Sequence, residues 1–267
     1  MIGSFWDFLE LSGTNNLRSH SNGKGVKVMI ADTGFSKKAV ENAVFTKNYI
    51  DNDEMLTDRA NHGTSIYEII YEIAPMCDFY LLKSLGDNMN GSFKNIYDSI
   101  SIAISKNVDI LCLSLGTSSE LSPTTKKALN SAIQNGMIIV SATGNFNRNT
   151  LQNPSNYKGV ISVGGLSSDL KSRYHKANYS TELDFVALAE NILVEDNTGN
   201  FLCRSGTSFS NAIVVGQISL MKSIKKDFKK EDLLRYSSNI SRELETGLGY
   251  LNLNKFVEEM KEGGLIV

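Results

Sequence analysis

Mostly apolar runs of four to six residues recur at intervals along the chain. They lie at 26–31, 78–83, 108–113, 137–141 and 160–163. Runs of this length without alternation are typical of strands buried on both faces of a sheet. The first of them ends directly before Asp32, so a carboxylate follows a predicted strand.

Between these runs, apolar residues follow helical spacing. One apolar stripe consists of Phe93, Ile96, Tyr97, Ile100 and Ile104 and predicts an amphipathic helix. A second helix is predicted to begin with Ser122 as its cap and Pro123 in its first turn, and to stop at Gly136. The apolar run 212–221 predicts a third, buried helix. Strands that alternate with helices predict an α/β fold, a three-layer, doubly wound and mostly parallel sheet with helices on both faces.

Composition supports one domain, 1–267, and narrows the classes of function. The chain is 41% hydrophobic, which suits a large core, and its net charge of −2 gives no reason to expect a nucleic-acid partner. No apolar run approaches the ~18 residues of a membrane span. The N-terminus lacks the basic and apolar parts of a signal peptide, and the three cysteines form no close pair. These features predict a cytoplasmic protein with reduced thiols.

Three polar segments rich in small residues supply an acid, a base and a nucleophile. They are ADTG at 31–34, NHGT at 61–64 and SGTSFS at 205–210. The Ser208 hydroxyl is a poor nucleophile unless a histidine, His62, takes its proton and a carboxylate, Asp32, holds that histidine. Asp32, Ser114 and Asn145 each come just after a predicted strand, at the edge where parallel sheets collect ligands.

The order Asp, His, Ser argues against other hydrolase classes. An α/β-hydrolase needs its histidine after the serine, but His20, His62 and His175 all precede Ser208. Aspartic proteases pair two carboxylates from segments such as Asp-Thr-Gly, and only one copy occurs here. With one copy, an aspartic protease would need a homodimer to supply the second carboxylate, and an all-β chain. The predicted helices argue against such a chain. A trypsin-like order can be drawn from the same residues, but that fold is all-β as well.

Six ordered segments resemble the subtilase family of subtilisin-like serine proteases over nearly the whole chain. The further three are LSLG at 113–116, ATGN at 142–145 and GLGYLN at 247–252. The resemblance implies a subtilisin-like fold and a serine endopeptidase. It assigns Ser208 as nucleophile, His62 as general base, Asp32 as the orienting carboxylate and Asn145 as a donor to the oxyanion.

The resemblance also implies a substrate site in which a peptide binds as an added strand. The two rails and the pocket residues are Ser114, Leu115, Gly116, Met89, Asn90, Gly91, Ala142, Gly144 and Gln152. Gln152 lies at the base of the first pocket, where relatives often carry glycine, which predicts a shallow or polar pocket. Glu120 is either near one wall, where it would favour a basic residue, or solvated. The Asn153–Pro154 bond is expected to be cis.

Three departures from the family pattern shape the functional hypothesis. Only 13 positions separate His62 from Pro75, where relatives usually insert a calcium-binding loop, so no cofactor is expected. Ala212 replaces a proline, and no pro-segment is expected before the catalytic region. The sequence thus predicts an intracellular endopeptidase. The predicted role is limited processing of a peptide or protein, for example removal of a leader peptide. The alternatives are general protein turnover and a subtilase fold that binds or regulates a partner without catalysis.

Overall fold

The computed structural model describes residues 4–50, 54–240 and 243–267. The strands are β1 (Lys27–Asp32), β2 (Ala43–Asn48), β3 (Asp78–Lys83), β4 (Ile110–Leu113), β5 (Ile138–Ala142), β6 (Ile161–Leu166), β7 (Phe185–Leu188), β8 (Ile192–Glu195), β9 (Phe201–Arg204), β10 (Ser237–Ser238) and β11 (Tyr250–Leu251). The helices are α1 (Phe5–Leu11), α2 (Thr14–Arg18), α3 (Lys37–Glu41), α4 (His62–Ile73), α5 (Phe93–Ser105), α6 (Pro123–Gln134), α7 (Thr207–Ile224), α8 (Lys230–Leu234), α9 (Glu243–Thr246) and α10 (Leu253–Glu262).

Seven strands form one parallel sheet in the order β2-β3-β1-β4-β5-β6-β7. β1 lies inside the sheet between β3 and β4, and β5 follows β4. The order reverses after β1, as in doubly wound folds, and ligands of such sheets bind beyond the carboxyl ends of the strands at that point. The ends of β1, β4 and β5 therefore meet at one edge.

Side chains alternate between the two faces of the sheet, and both faces are covered. In β1, Val28 and Ile30 pack into the core that includes α4 and α7, whereas Met29 and Ala31 pack toward α5 and α6. All four side chains are fully buried. Burial on both faces explains why the strand is a continuous apolar run, and it confirms the predicted three-layer α/β fold.

All five predicted strands belong to the sheet, but its two edge strands escaped the sequence pattern. In β2, which lies at one edge, burial varies irregularly from exposed to buried. β7, at the other edge, has four fully buried residues in a run too short to distinguish from loop sequence. Edge strands carry a weaker signal because they have a neighbour on one side only.

The predicted helices also form, and their ends follow capping chemistry. Ser122 caps α6 by accepting the Thr125 N–H, and Pro123 occupies its first turn. α4 runs without interruption over most of the short segment between His62 and Pro75. The Asn153–Pro154 bond is cis, as the family resemblance implies.

Candidate active site

Asp32 and His62 form a short buried hydrogen bond at the carboxyl edge of the sheet. Asp32 is the last residue of β1 and His62 the first of α4. His62 Nδ1 lies 2.7 Å from Asp32 Oδ1, with the Asp32 side chain fully buried and the His62 side chain 9% exposed. A carboxylate can only accept, so Nδ1 carries the proton and Nε2 remains an acceptor. A neutral imidazole held in this tautomer can accept a proton at Nε2.

Gly63 lets the helix that carries His62 approach β1 closely. A Cβ at this position would lie 2.3 Å from the Gly34 carbonyl oxygen and 2.9 Å from the Asp32 Cβ. Those distances exclude any side chain without movement of the backbone. Glycine after the histidine is therefore a packing requirement of the 2.7 Å contact between Asp32 and His62.

The surroundings of His62 favour its charged form. Burial lowers the pKa of His62, because the imidazolium loses its hydration. The charge and hydrogen bond of Asp32 raise that pKa, the charge of Asp58 raises it further, and the charge of Arg204 lowers it. The pKa of His62 lies, on balance, above its ordinary value. The site thus stabilises the imidazolium that forms when the histidine accepts a proton.

Ser208 lies in the first turn of α7 and is half-buried. Its hydroxyl donates to the Ser114 carbonyl oxygen at 3.3 Å, and within the described residues no hydrogen bond joins it to His62. The His62 ring packs against Phe209, the neighbour of Ser208, with ring centroids 5.6 Å apart. The structure therefore places Ser208 beside the helix that carries His62, with the Ser208 hydroxyl directed at the residue that follows β4. Catalytic hydrogen bonds often tighten only when substrate binds.

Asn145 is fixed with its amide nitrogen free. Its Oδ1 accepts the Thr207 N–H at 2.9 Å, and the described part of the chain offers its Nδ2 no acceptor within hydrogen-bond distance. The first four N–H groups of a helix lack partners inside the helix, and Ser208 lies in the first turn of α7. The Asn145 amide and a backbone N–H of this turn are donors of the kind that stabilises an oxyanion, and Asn145 and Ser208 line one cleft.

The nine predicted substrate-binding residues line one cleft of about 480 Å³ together with Asn145 and Ser208. These nine are Ser114, Leu115, Gly116, Met89, Asn90, Gly91, Ala142, Gly144 and Gln152. The cleft is mostly apolar in its lining and opens to solvent. The structure thus brings together the residues that the sequence predicts to bind a peptide as an added strand.

Gln152 fills the space between two glycines at the base of this cleft. A Cβ at Gly144 would lie 2.6 Å from Gln152 Oε1, and a Cβ at Gly116 would lie 2.9 Å from the same atom. Gly144 also has a φ of +100°, which L side chains rarely adopt. The floor of the pocket is therefore narrow, and an amide group lines it.

Glu120 does not reach the cleft. Its side chain is 92% exposed and lies 3.6 Å from Lys126, so of the two alternatives for Glu120 the structure favours the solvated one. Glu120 lies in the loop before α6, and its side chain is at the surface. The sequence also missed three apolar residues of the lining, Leu85, Ile96 and Phe146. Two features of the sequence could have indicated these residues: Ile96 belongs to the predicted apolar stripe of a helix, and Phe146 directly follows Asn145.

Three charged or polar residues near His62 also escaped sequence reasoning. Thr33 and Asp58 hydrogen-bond the first turn of α4, and Arg204 donates to the Ala60 carbonyl oxygen at 3.3 Å. The sequence shows Thr33 only as the residue next to Asp32 and does not indicate its contact with α4. The contact of Arg204 with residue 60 joins segments 144 positions apart, and no sequence pattern indicates it.

The described residues hold no group of three or more His, Cys, Asp or Glu side chains suited to a metal ion. Nor is any helix among residues 4–50, 54–240 and 243–267 both long and apolar enough to span a bilayer.

The chain is similar to known serine proteases. A sequence profile of the Subtilase family matches residues 23–248. The major intracellular serine protease of Bacillus subtilis (strain 168) is 32% identical over 228 residues, which are 77% of this chain and 70% of that protein. M-protease of Shouchella clausii (strain KSM-K16) is 28% identical over 86% of this chain, and the match spans 62% of that protein, less than two thirds.

Among solved structures, the prenylagaramide maturation protease PagA matches with a TM-score of 0.78 and 22% sequence identity. The match covers 93% of this chain and 98% of that chain. At this level of identity, the likeness establishes a shared fold.

Proposed function

The chain belongs to the subtilase family of serine endopeptidases, and we propose that Ser208, His62 and Asp32 are its catalytic triad. The observation that carries this assignment is the 2.7 Å hydrogen bond between His62 Nδ1 and Asp32 Oδ1. It leaves His62 Nε2 as an acceptor on the helix packed beside Ser208. The carboxylate orients the imidazole and stabilises its charged form, and does not itself take the proton.

The reaction proceeds through an acyl-enzyme. Ser208 Oγ attacks the peptide carbonyl carbon while its proton passes to His62 Nε2, and the carbonyl oxygen becomes an oxyanion. Asn145 Nδ2 and a backbone N–H of the first turn of α7 donate to that oxyanion. His62 then gives the proton to the leaving amine as the C–N bond breaks. Water, deprotonated by His62, hydrolyses the ester and releases Ser208.

We propose that the substrate is a peptide or protein held as an extended strand between residues 89–91 and 114–116. Both segments line one cleft, and each contributes a glycine. Backbone pairing fixes the substrate near Ser208, while the pockets select among side chains. The narrow floor at Gln152 supports selection of small or short polar side chains before the cleaved bond.

Such selection favours limited processing of a defined intracellular substrate, for example removal of a leader peptide, over general protein turnover. The names of two similar proteins support this proposal, because one is an intracellular protease and the other a maturation protease. The alternatives are general turnover and a subtilase fold that binds a partner without catalysis. The assembled hydrogen bond of Asp32 and His62 favours catalysis.

Cleavage profiling tests the proposal. The protein is incubated with a peptide library and, separately, with casein, and the products are sequenced by mass spectrometry, with Ser208→Ala as the control. Limited processing predicts few library sites that share one motif and slow loss of casein. Rapid loss of casein at many unrelated sites would establish general turnover. Identical product profiles from wild type and Ser208→Ala would refute catalysis at this site.

A further inference from the structure

The helix that begins at His62 is capped by residues outside it. Asn61, its N-cap, has a left-handed φ of 56° and makes no side-chain capping bond. The Gly63 N–H instead donates to Thr33 Oγ1 at 3.1 Å, and the Thr64 N–H donates to Asp58 Oδ2 at 2.8 Å. The first turn of α4 is therefore held by the neighbour of Asp32 and by a second carboxylate.

These bonds close a loop through the candidate triad. The Thr33 hydroxyl donates to Asp58 Oδ1 at 2.8 Å, and the Thr33 N–H donates to Asp32 Oδ1 at 2.7 Å. Asp32 Oδ1 also accepts the hydrogen bond of His62 Nδ1. His62 begins the first turn of α4, which Thr33 and Asp58 cap. Both oxygens of Asp58 are thus used, and the residue is 1% exposed. Movement of Asp58 would disturb both partners of the hydrogen bond between Asp32 and His62.

We infer that Asp58 is a positioning residue, which holds His62 against Asp32 through Thr33 and the first turn of α4 and adds a buried negative charge beside the imidazole. The inference rests on the triad proposed above. Asp58 touches no reacting atom, because its oxygens are occupied by Thr33 and Thr64. A negative charge at a helix N-terminus also stabilises the helix that carries His62.

The segment that carries Asp58 is fixed by the β8–β9 hairpin. Asn197, in the turn of that hairpin, donates its Nδ2 to the Asp58 carbonyl oxygen at 2.6 Å, and its N–H to Asn61 Oδ1 at 3.0 Å. The charges that face His62 are Asp32 from β1, Asp58 from the loop before α4 and Arg204 from β9. Asp58 is therefore one of two carboxylates set against one cation around the histidine.

The test measures how fast a fluorophosphonate probe labels Ser208 at each pH in wild type and in Asp58→Asn. Labelling forms an O–P bond at Ser208, breaks the P–F bond and passes the serine proton to His62, so its pH midpoint reports the free histidine. We expect the plateau rate constant to fall about tenfold to hundredfold, the value of one hydrogen bond to a charged group. We expect the midpoint to move to lower pH, because a charge that favours imidazolium is gone.

Asp169→Asn is the matched control. Asp169 is exposed and caps its own turn by accepting the N–H groups of Lys171 and Ser172, away from the triad. It should label like wild type. An Asp58→Asn protein with both the plateau and the midpoint of wild type would overturn the inference. A lower plateau with an unmoved midpoint would also overturn it, because a role in folding alone predicts that result.

Thr33→Val is the second variant, should Asp58→Asn fail to fold. It removes the hydroxyl that Asp58 and Gly63 share and keeps all charges, so the plateau should fall, and Thr33→Ser should restore it. Wild-type labelling of Thr33→Val would overturn the inference. Absence of labelling in the wild-type protein would instead refute the proposed triad, so the two failures are distinguishable.

Discussion

Ser208 and Ser114 exchange hydrogen bonds: the Ser208 hydroxyl donates to the Ser114 carbonyl oxygen at 3.3 Å, and the Ser114 hydroxyl donates to the Ser208 carbonyl oxygen at 3.1 Å. Asn211, fully buried one turn further along α7, donates to Ser114 Oγ at 3.2 Å. This pairing ties the helix of the nucleophile to the end of β4, which is also a rail of the substrate cleft.

Ser114→Ala should lower the free energy of unfolding by about 1 kcal/mol, because one side-chain hydrogen bond to the backbone is lost and the buried Asn211 amide loses an acceptor. Urea denaturation with unchanged m value measures the difference. Ser119→Ala, at an exposed position of the following loop, is the control and should be neutral. Equal midpoints for Ser114→Ala and wild type would mean that the hydrogen bonds of the Ser114 hydroxyl contribute nothing.

The activity should have an acidic limb governed by His62. The base must be neutral, and the pKa of His62 is raised, so kcat/KM should increase with pH through a midpoint above about 6.5, the ordinary value for histidine. Arg204→Gln removes a cation that lowers this pKa and should move the midpoint higher still. The measurement is kcat/KM of a fluorogenic peptide from pH 5 to pH 9, a range of about two units either side of neutrality.

Arg18→Gln is the control for this pH profile, because Arg18 pairs with Glu72 on the outer part of α4 and does not face His62. A wild-type midpoint below about 6.5, or a shift of the Arg204→Gln midpoint to lower pH, would contradict the electrostatic account of the site.

Gln152→Gly should widen the first pocket. The change removes the side chain that fills the space between Gly116 and Gly144. Peptides with a large apolar side chain before the cleaved bond should therefore be cleaved with a higher kcat/KM. We expect kcat/KM for such peptides to rise about tenfold relative to peptides with alanine there, within the range that pocket contacts supply. Gln134→Gly, on the exposed face of α6, should leave the ratio unchanged. A ratio unaffected by Gln152→Gly would show that another residue limits the pocket.

Calcium should be dispensable for stability. α4 is continuous, so its carbonyl groups serve its own hydrogen bonds and leave few of the six to eight oxygens that calcium requires. EDTA should shift the melting temperature by less than about 2 °C and leave peptidase activity intact, since a strong site would stabilise the fold by mass action. EDTA saturated with calcium is the control. A large fall in the melting temperature with EDTA alone, reversed by added calcium, would reveal a calcium site elsewhere in the protein.

The sequence predicts the centre of the fold better than its edges. Buried strands such as β1 and β5 are continuous apolar runs bounded by polar residues, a pattern typical of the middle of a parallel sheet, whereas edge strand β2 is half-exposed and irregular. Helices α6 and α7 were predictable because a cap, or a long apolar run, marks them locally.

The site divides in the same way. Asp32, His62 and Ser208 could be proposed from the sequence because each lies in a short segment of recognisable chemistry, in an informative order. Asp58 could not, because its role depends on contacts with Thr33, 25 positions away, and with the turn that follows it. Contacts of this kind depend on the fold, and one sequence without its fold does not indicate them.

Covalent labelling of Ser208 tests the central claim most directly. Wild-type protein and Ser208→Ala are treated with a fluorophosphonate probe, and the modified residue is located by tandem mass spectrometry. We predict one adduct, on Ser208, formed with loss of peptidase activity. We predict no adduct in Ser208→Ala, and no activity beyond the trace left by about a millionfold loss, as in subtilisin. An adduct on another serine, or full peptidase activity in Ser208→Ala, would contradict the assignment of this site.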